Sequence, residues 1–182
     1  MWWIILAVLA VAFLAFVGVV LMQPSAFRIN RSASMATPPL APFAQVNDFH
    51  NWTNWSPWED LDPNLKRSYE GPSSGEGAIY SWEGNKNVGS GRMTILESLP
   101  HEYIQIKLEF LQPFAATNTA EFTFKPEGER TRVDWTMSGE NDNFMKKAFG
   151  LMMNMDKMVG KDFEKGLDSM RETVESDSRK KG

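Results

Sequence analysis

The residues that could do chemistry are few and scattered along the 182-residue chain. There is no cysteine, which excludes thiol nucleophiles, disulfides and thiolate zinc sites. His50 and His101 have no serine or cysteine nucleophile motif to work with, so neither is predicted to be catalytic. Asp60-x-Asp62-x-Asn64 begins like a calcium loop but lacks its later glycine and glutamate. We therefore predict no metal site, no cofactor and no catalytic residue.

Acid–base catalysis would need a carboxyl group that is shielded from water beside a polar partner. Glu109, Glu121 and Asp134 alternate with apolar residues in predicted strands, so their side chains should face solvent. Glu97 lies in a strand that alternates less cleanly. An enzyme would have to use Glu97 or Tyr80 with a neighbour, and such an enzyme is the alternative to a binding protein.

Aromatic and methionine residues form the more informative set. Trp52, Trp55 and Trp58 recur every third residue and are predicted to form the mouth of a ligand pocket. The alternative is that they fill one end of the core, because a large aromatic side chain buries about 150–250 Å². Six of the eleven methionines lie between residues 145 and 170. Flexible, polarizable methionines suit a surface that fits several partners, although core packing is again the alternative.

The elements that position these side chains follow from periodicity. Residues 27–33 alternate like a half-buried strand, and a short helix is predicted from about 38 to 46. Between 65 and 137 turn sequences separate about six strands, each with one apolar and one polar face. From 143 to about 175 apolar residues recur with the helical period. A curved antiparallel sheet wrapped around this long C-terminal helix, an α+β helix-grip fold, would bury both apolar faces.

Residues 1–22 differ from the rest because they carry no charged or strongly polar side chain. At about 1.5 Å per residue they can span a hydrocarbon core of about 30 Å, with Trp2 and Trp3 as an interfacial anchor. A cleaved signal peptide is the alternative, but no lysine or arginine precedes the apolar run and the run is long. Arg28 and Arg31 follow the span and favour a cytoplasmic body. The net charge of −4, with acids and bases mixed, argues against nucleic acid as a partner.

Four segments resemble the SRPBCC (START-like) superfamily, and within it the bacterial proteins labelled polyketide cyclase/dehydrase. They are Asn54-Trp55-Ser56-Pro57-Trp58, Tyr80-Ser81-Trp82-Glu83-Gly84-Asn85, Gly89-Ser90-Gly91-Arg92-Met93 and Val133-Asp134-Trp135-Thr136-Met137-Ser138-Gly139. The resemblance implies a helix-grip domain with a cavity between the sheet and the C-terminal helix. Most families of this fold bind or carry apolar small molecules, and a minority are enzymes or interaction modules.

These inferences divide the chain into a transmembrane anchor (1–22), a START-like domain (27–175) and a flexible tail (176–182). We predict a single-pass, membrane-tethered carrier of a hydrophobic small molecule such as a lipid, quinone or polyketide. A cyclase/dehydratase-like enzyme and a protein-interaction module are the alternatives. Trp135 is the strongest pocket candidate, because its ring faces inward and its N–H needs a partner. The predicted pocket residues are Trp82, Met93, Ile106, Leu108, Phe122, Phe124, Trp135, Met137, Met152, Met155 and Val159.

Overall fold

The structure is a computed structural model that describes residues 2–140, 144–152 and 155–181. Its helices are α1 (Trp2–Met22), α2 (Leu40–Asn47), α3 (Phe144–Met152) and α4 (Met155–Lys181), with a 3₁₀ helix at Phe49–Asn54. Its strands are β1 (Ala26–Met35), β2 (Lys66–Glu70), β3 (Ile79–Glu83), β4 (Ser90–Leu99), β5 (Tyr103–Gln112), β6 (Ala116–Glu127) and β7 (Arg130–Glu140).

The seven strands form one antiparallel sheet in the order β1-β7-β6-β5-β4-β3-β2. Strands β2 to β6 each pair with the next strand in sequence, and β1 pairs with β7 at the other edge. Buried and more exposed residues alternate along β6 and β7, as expected for strands that cover a core on one face. The curved sheet with its long C-terminal helix confirms the predicted helix-grip fold.

The C-terminal helical region was predicted as one helix from 143 to about 175. The structure describes it as α3 and α4, on either side of residues 153 and 154, which lie outside the described residues; α3 packs against α1, whereas α4 packs against β1 and α2. The apolar stripe continues along α4 through Phe163, Met170 and Val174, all buried, but Phe144 of α3 is exposed. The helix also runs to Lys181, where a tail was expected.

The last turns of α4 are held by short-range side-chain hydrogen bonds. The hydroxyls of Ser176 and Ser178 donate to the carbonyls of Thr173 and Val174, both at 2.9 Å. These bonds use serine hydroxyls that would otherwise compete with the helix for backbone groups.

Arg31 fastens β1 to the N-terminal half of α4. Its guanidinium binds the Asp156 carboxylate at 3.0 Å and the Glu164 carboxylate at 2.7 Å. The hydrogen bond to Arg31 holds the pKa of the Asp156 carboxyl below its usual value. Gly160 lies between these two acids, and a Cβ there would collide with the guanidinium. The glycine therefore lets the arginine lie flat against the helix.

Gly160→Ala should lower the free energy of unfolding by about 1–3 kcal/mol, because the new methyl group displaces Arg31. In an Arg31→Ala background the same change should be neutral, or stabilise the helix by up to about 1 kcal/mol, since alanine is the better helix former. Urea melts of the four proteins of this cycle measure the difference. Equal effects of Gly160→Ala in both backgrounds would contradict the contact.

Helix α1 is long and apolar enough to cross a membrane, and nearly all of its side chains are exposed. Val20, near its C-terminal end, is the exception because it is fully buried. Helix α1 packs against α3. Only residues 23–25 separate α1 from β1. The helix is therefore attached to the domain at a defined place, the end of the sheet where β1 begins.

Candidate functional site

Strand register brings the predicted pocket residues of the sheet onto one face, here called the inner face. Met93 of β4 lies opposite Leu108 of β5, and Phe122 of β6 lies opposite Trp135 of β7. The remaining sheet residues of the predicted set share this face by alternation: Trp82, Ile106, Phe124 and Met137. In a helix-grip fold this is the face of the sheet that packs against the C-terminal helix.

The centre of the inner face is closely packed around Trp135. Its ring stacks on Phe163 of α4 with a centroid separation of 3.9 Å and an interplanar angle of 5°. On another side Phe122 stacks on it at 5.0 Å. Trp135 is almost completely buried. At this level helix and sheet are in direct aromatic contact.

Trp52, Trp55 and Trp58, predicted at a pocket mouth, surround Trp135 edge-on at centroid distances of 6.4, 5.5 and 5.8 Å. The indole N–H groups of Trp52 and Trp55 each donate to a backbone carbonyl of α2 at 3.1 Å. Both rings are buried, whereas Trp58 is half-buried. The first two therefore have the packing role that was the alternative, and a role at the mouth stays a prediction for Trp58.

Trp135 also carries an unusual polar atom. Among the residues that the structure describes, its buried Nε1–H has no hydrogen-bond partner. A buried N–H without a partner costs about 1–3 kcal/mol, so such groups are rare in native cores. This donor is on the inner face, where the sequence analysis expected an inward-facing N–H to need a partner.

The inner face opens towards the end of the sheet where β1 begins, here called the anchor end. Ile104 and Ile106 of β5 are fully buried, but Leu108 and Phe110, further along the same strand, are only half-buried. Trp82 is half-buried at this end too, with its ring edge-on to Phe110 at 6.0 Å. An apolar surface that is partly exposed on the concave side of a sheet is suited to bind an apolar molecule.

A cleft of about 670 Å³ lies at the anchor end, between the starts of β1 and β6 and the end of β7. Its lining residues are Ala26, Phe27, Ala115, Ala116, Thr117, Asn118, Thr119, Ser138, Gly139 and Glu140. A side chain at Gly139 would come within 2.9 Å of the Phe27 ring and would also collide with the Asn118 amide. Among these lining residues Glu140 is the only ionisable one, and it is exposed. The cleft therefore offers contact area and hydrogen bonds rather than an acid–base pair.

The sequence predicts the strands that form the cleft but not the cleft itself. The alternation that placed Leu108 on the inner face places Phe110 there as well, and Phe27 is the large residue that opens β1. Periodicity predicts which face of the sheet a residue occupies. It does not predict the point along each strand at which the packing of the core ends.

A second buried polar group lies under β2 and β3. The Glu59 carboxylate accepts hydrogen bonds from Arg67 Nε at 2.6 Å and from the Tyr80 hydroxyl at 2.7 Å. Burial and this hydrogen bond to Glu59 raise the pKa of Tyr80, so its hydroxyl stays protonated and donates. The hydrogen bond to Glu59 raises the pKa of Arg67 as well. The three groups satisfy one another and tie the segment after Trp58 to the sheet.

Tyr80 thus has the polar neighbour that the enzyme alternative required, but that neighbour is Glu59, which the sequence analysis did not consider. The sequence does contain a signal for such a carboxylate. Arg67 and Tyr69 are two residues apart in β2 and so share its inner side, and an arginine that faces inward needs a carboxylate partner. Glu97, the other candidate, is exposed.

The helical pocket residues are only partly accounted for. Val159 of α4 is half-buried and packs against the core. The side chains of Met152 and Met155 lie outside the part of the chain that the structure describes, so their place in a pocket stays a prediction.

Comparison with known proteins identifies similar folds. Residues 26–175 match the family described as polyketide cyclase / dehydrase and lipid transport. Among solved structures, CV1439 from Chromobacterium violaceum is 14% identical with a TM-score of 0.58, the match covering 84% of this chain and 99% of that one. A protein from Nitrosospira multiformis is 17% identical with a TM-score of 0.60 and the same coverage. The Aha1 dimer from Colwellia psychrerythraea is 13% identical with a TM-score of 0.53, covering 80% and 96%.

No curated protein matches the chain. At identities below 20% the likeness to these solved structures shows a shared fold. The evidence for a family relationship is the match of residues 26–175.

Proposed function

Because the chain belongs to the polyketide cyclase / dehydrase and lipid transport family, we propose that it binds a hydrophobic small molecule at the anchor end of its inner face. The observation that carries this proposal is the change in packing along the sheet. The centre of the inner face is filled by aromatic stacking around Trp135, whereas Trp82, Leu108 and Phe110 at the anchor end keep exposed apolar surface beside the cleft.

The character of the cleft supports binding in preference to catalysis. Asn118, which shares the inner face with Ala120 and Phe122, offers hydrogen bonds, and the nearby aromatic and aliphatic side chains offer apolar area. A few polar groups in an apolar concave surface orient a ligand without reacting with it. A lipid, a quinone or a polyketide-like chain has this combination of properties.

The proposal includes tethering by α1, with the domain on the cytoplasmic side. The helix is long and apolar enough to span a bilayer and its side chains are exposed along nearly its whole length. Arg28 is exposed just after the span, and Arg31 is held in ion pairs with α4. Arg28 is therefore the residue that contributes most directly to a positive-inside orientation.

The site proposal predicts that Ala116→Trp fills the cleft and weakens binding of a dansylated C11 fatty acid by about tenfold or more, or about 1.4 kcal/mol. The measurement is a fluorescence titration of the protein without residues 1–23, after circular dichroism has shown that each variant is folded. Lys125→Trp, at the exposed opposite end of the same strand, is the matched control and should bind within about twofold of the parent.

Two outcomes contradict the site. If the folded parent protein does not bind the fatty acid, the cleft is not a site for acyl chains. If Ala116→Trp binds as well as Lys125→Trp, the ligand lies elsewhere on the inner face.

A further inference from the structure

The β5–β6 turn, defined here as residues 111–115 and so including the last two residues of β5, is uncharged and exposed. Its sequence, Leu-Gln-Pro-Phe-Ala, contains no charge, and every residue in it is exposed. Phe114 is 77% exposed and Leu111 is 61% exposed. Among the described side chains outside α1, Phe114 is the most exposed large apolar one. Two such side chains in one five-residue turn form a projecting apolar tip.

This tip lies at the anchor end of the sheet. Ala26, the first residue of β1, pairs with Glu140, and Gly139 beside it pairs with Asn118, two residues after β6 begins. The turn that precedes β6 therefore projects from the same end of the sheet as α1, which is joined to Ala26 by residues 23–25. Ala115 belongs to both the turn and the lining of the cleft.

Helix α3 adds a second apolar surface at the same end. It begins four residues after Glu140 and packs against α1. Phe144 and Leu151 are both exposed, and because they are seven residues apart they lie on one side of the helix. A short helix that contacts a membrane span and exposes apolar side chains fits the interfacial layer of a bilayer.

The turns at the opposite end of the sheet have a different character. They carry exposed carboxylates, namely Glu76, Glu102, Glu127 and Glu129. The β5–β6 turn therefore differs from these turns in carrying no charge.

We propose that the β5–β6 turn and α3 rest in the headgroup layer of the bilayer that α1 enters. Phe114 and Leu111 insert at the acyl boundary, where aromatic and leucine side chains are stabilised. The inference rests on the proposed tethering and deepens it, because it fixes the orientation of the domain. The cleft then faces the lipid, and a hydrophobic ligand passes between bilayer and protein without crossing water.

The test uses the full chain, which has no cysteine, so single labels can be placed freely. An NBD fluorophore is attached in turn to Phe114→Cys, Ala115→Cys, Leu9→Cys and Glu129→Cys, and each protein is reconstituted into phosphatidylcholine vesicles. Some vesicles contain lipids with a nitroxide at acyl carbon 5 and others at carbon 12. The label at 114 or 115 should be quenched about twofold or more by the shallow nitroxide, and the control label at 129 should not be quenched. The label at 9 should be quenched by the deep nitroxide.

The outcomes separate the two proposals. Quenching at 9 with none at 114 or 115 keeps the tether and overturns the orientation. No quenching at 9 overturns the tether, whatever the turn does. A label at 114 that is shielded only at high protein density, and is not quenched by lipid, would show a second copy of the chain on this surface and would overturn the inference.

Discussion

Trp135→Ala should lower the free energy of unfolding by about 3–5 kcal/mol, the range for a buried aromatic truncated in a packed core. The structure points to the full loss because Trp135 is stacked between Phe163 and Phe122. Removing the indole leaves a cavity between helix and sheet that neither neighbour can fill alone. Denaturant melts, with the slope checked for two-state behaviour, measure the change.

Two variants make the result specific to packing. Trp135→Phe keeps a ring between its neighbours and removes the unpaired N–H, so it should cost clearly less than alanine. Trp82→Ala, at the half-buried anchor end, should also cost less but should weaken binding of the fatty acid. A small loss for Trp135→Ala together with altered binding would show instead that Trp135 lines an open pocket, as the sequence suggested.

Arg67→Met should cost about 3 kcal/mol, since it leaves the Glu59 carboxylate buried without its cation. The Glu59 side chain is 7% exposed, and after the change the Tyr80 hydroxyl is the side-chain partner that remains to it among the described residues. The Arg67 side chain is 29% exposed, which places the expected loss near the lower end for a buried pair. Thermal or urea melts at neutral pH give the value.

The preceding residue of β2, Lys66, provides the control. Lys66 pairs with Glu83 at 3.4 Å, but their side chains are 75% and 69% exposed, so Lys66→Met should cost less than about 1 kcal/mol. Adding Glu59→Gln to Arg67→Met should recover part of the loss, because an amide is less costly to bury than a lone carboxylate. If the double variant is less stable than Arg67→Met, the buried charge is not the cause.

The sheet could be predicted from the sequence because alternation is a local property. In the middle of β5, β6 and β7 inward apolar residues alternate with outward polar ones, and the structure keeps these faces. The different partners of α3 and α4 could not be predicted in the same way, since the apolar period runs on through both segments. In the structure α3 packs against α1, and α4 is fixed to β1 by Arg31.

The polar details were missed for a related reason. Glu59 lies in an irregular segment, where no period relates it to Arg67 and Tyr80, and the three groups meet only after β2 and β3 have paired. From the sequence alone, Gly160 in α4 is a glycine inside a helix, where it lowers helix propensity. The structure shows that it makes room for a side chain of another element.

The pairing of β1 with β7 has a consequence for the order of assembly. Ala26 lies opposite Glu140, so this pair joins segments separated by almost the whole domain, whereas every other pair of neighbouring strands is consecutive in the chain. Closing so long a loop is entropically unfavourable until the intervening strands are in place. The meander from β2 to β7 can therefore form first, with the outer edge of β7 still unpaired. During synthesis β1 is made before the other strands, but it can pair only after β7 has formed. The pairing of β1, the strand that follows α1, with β7 is therefore expected to complete the sheet.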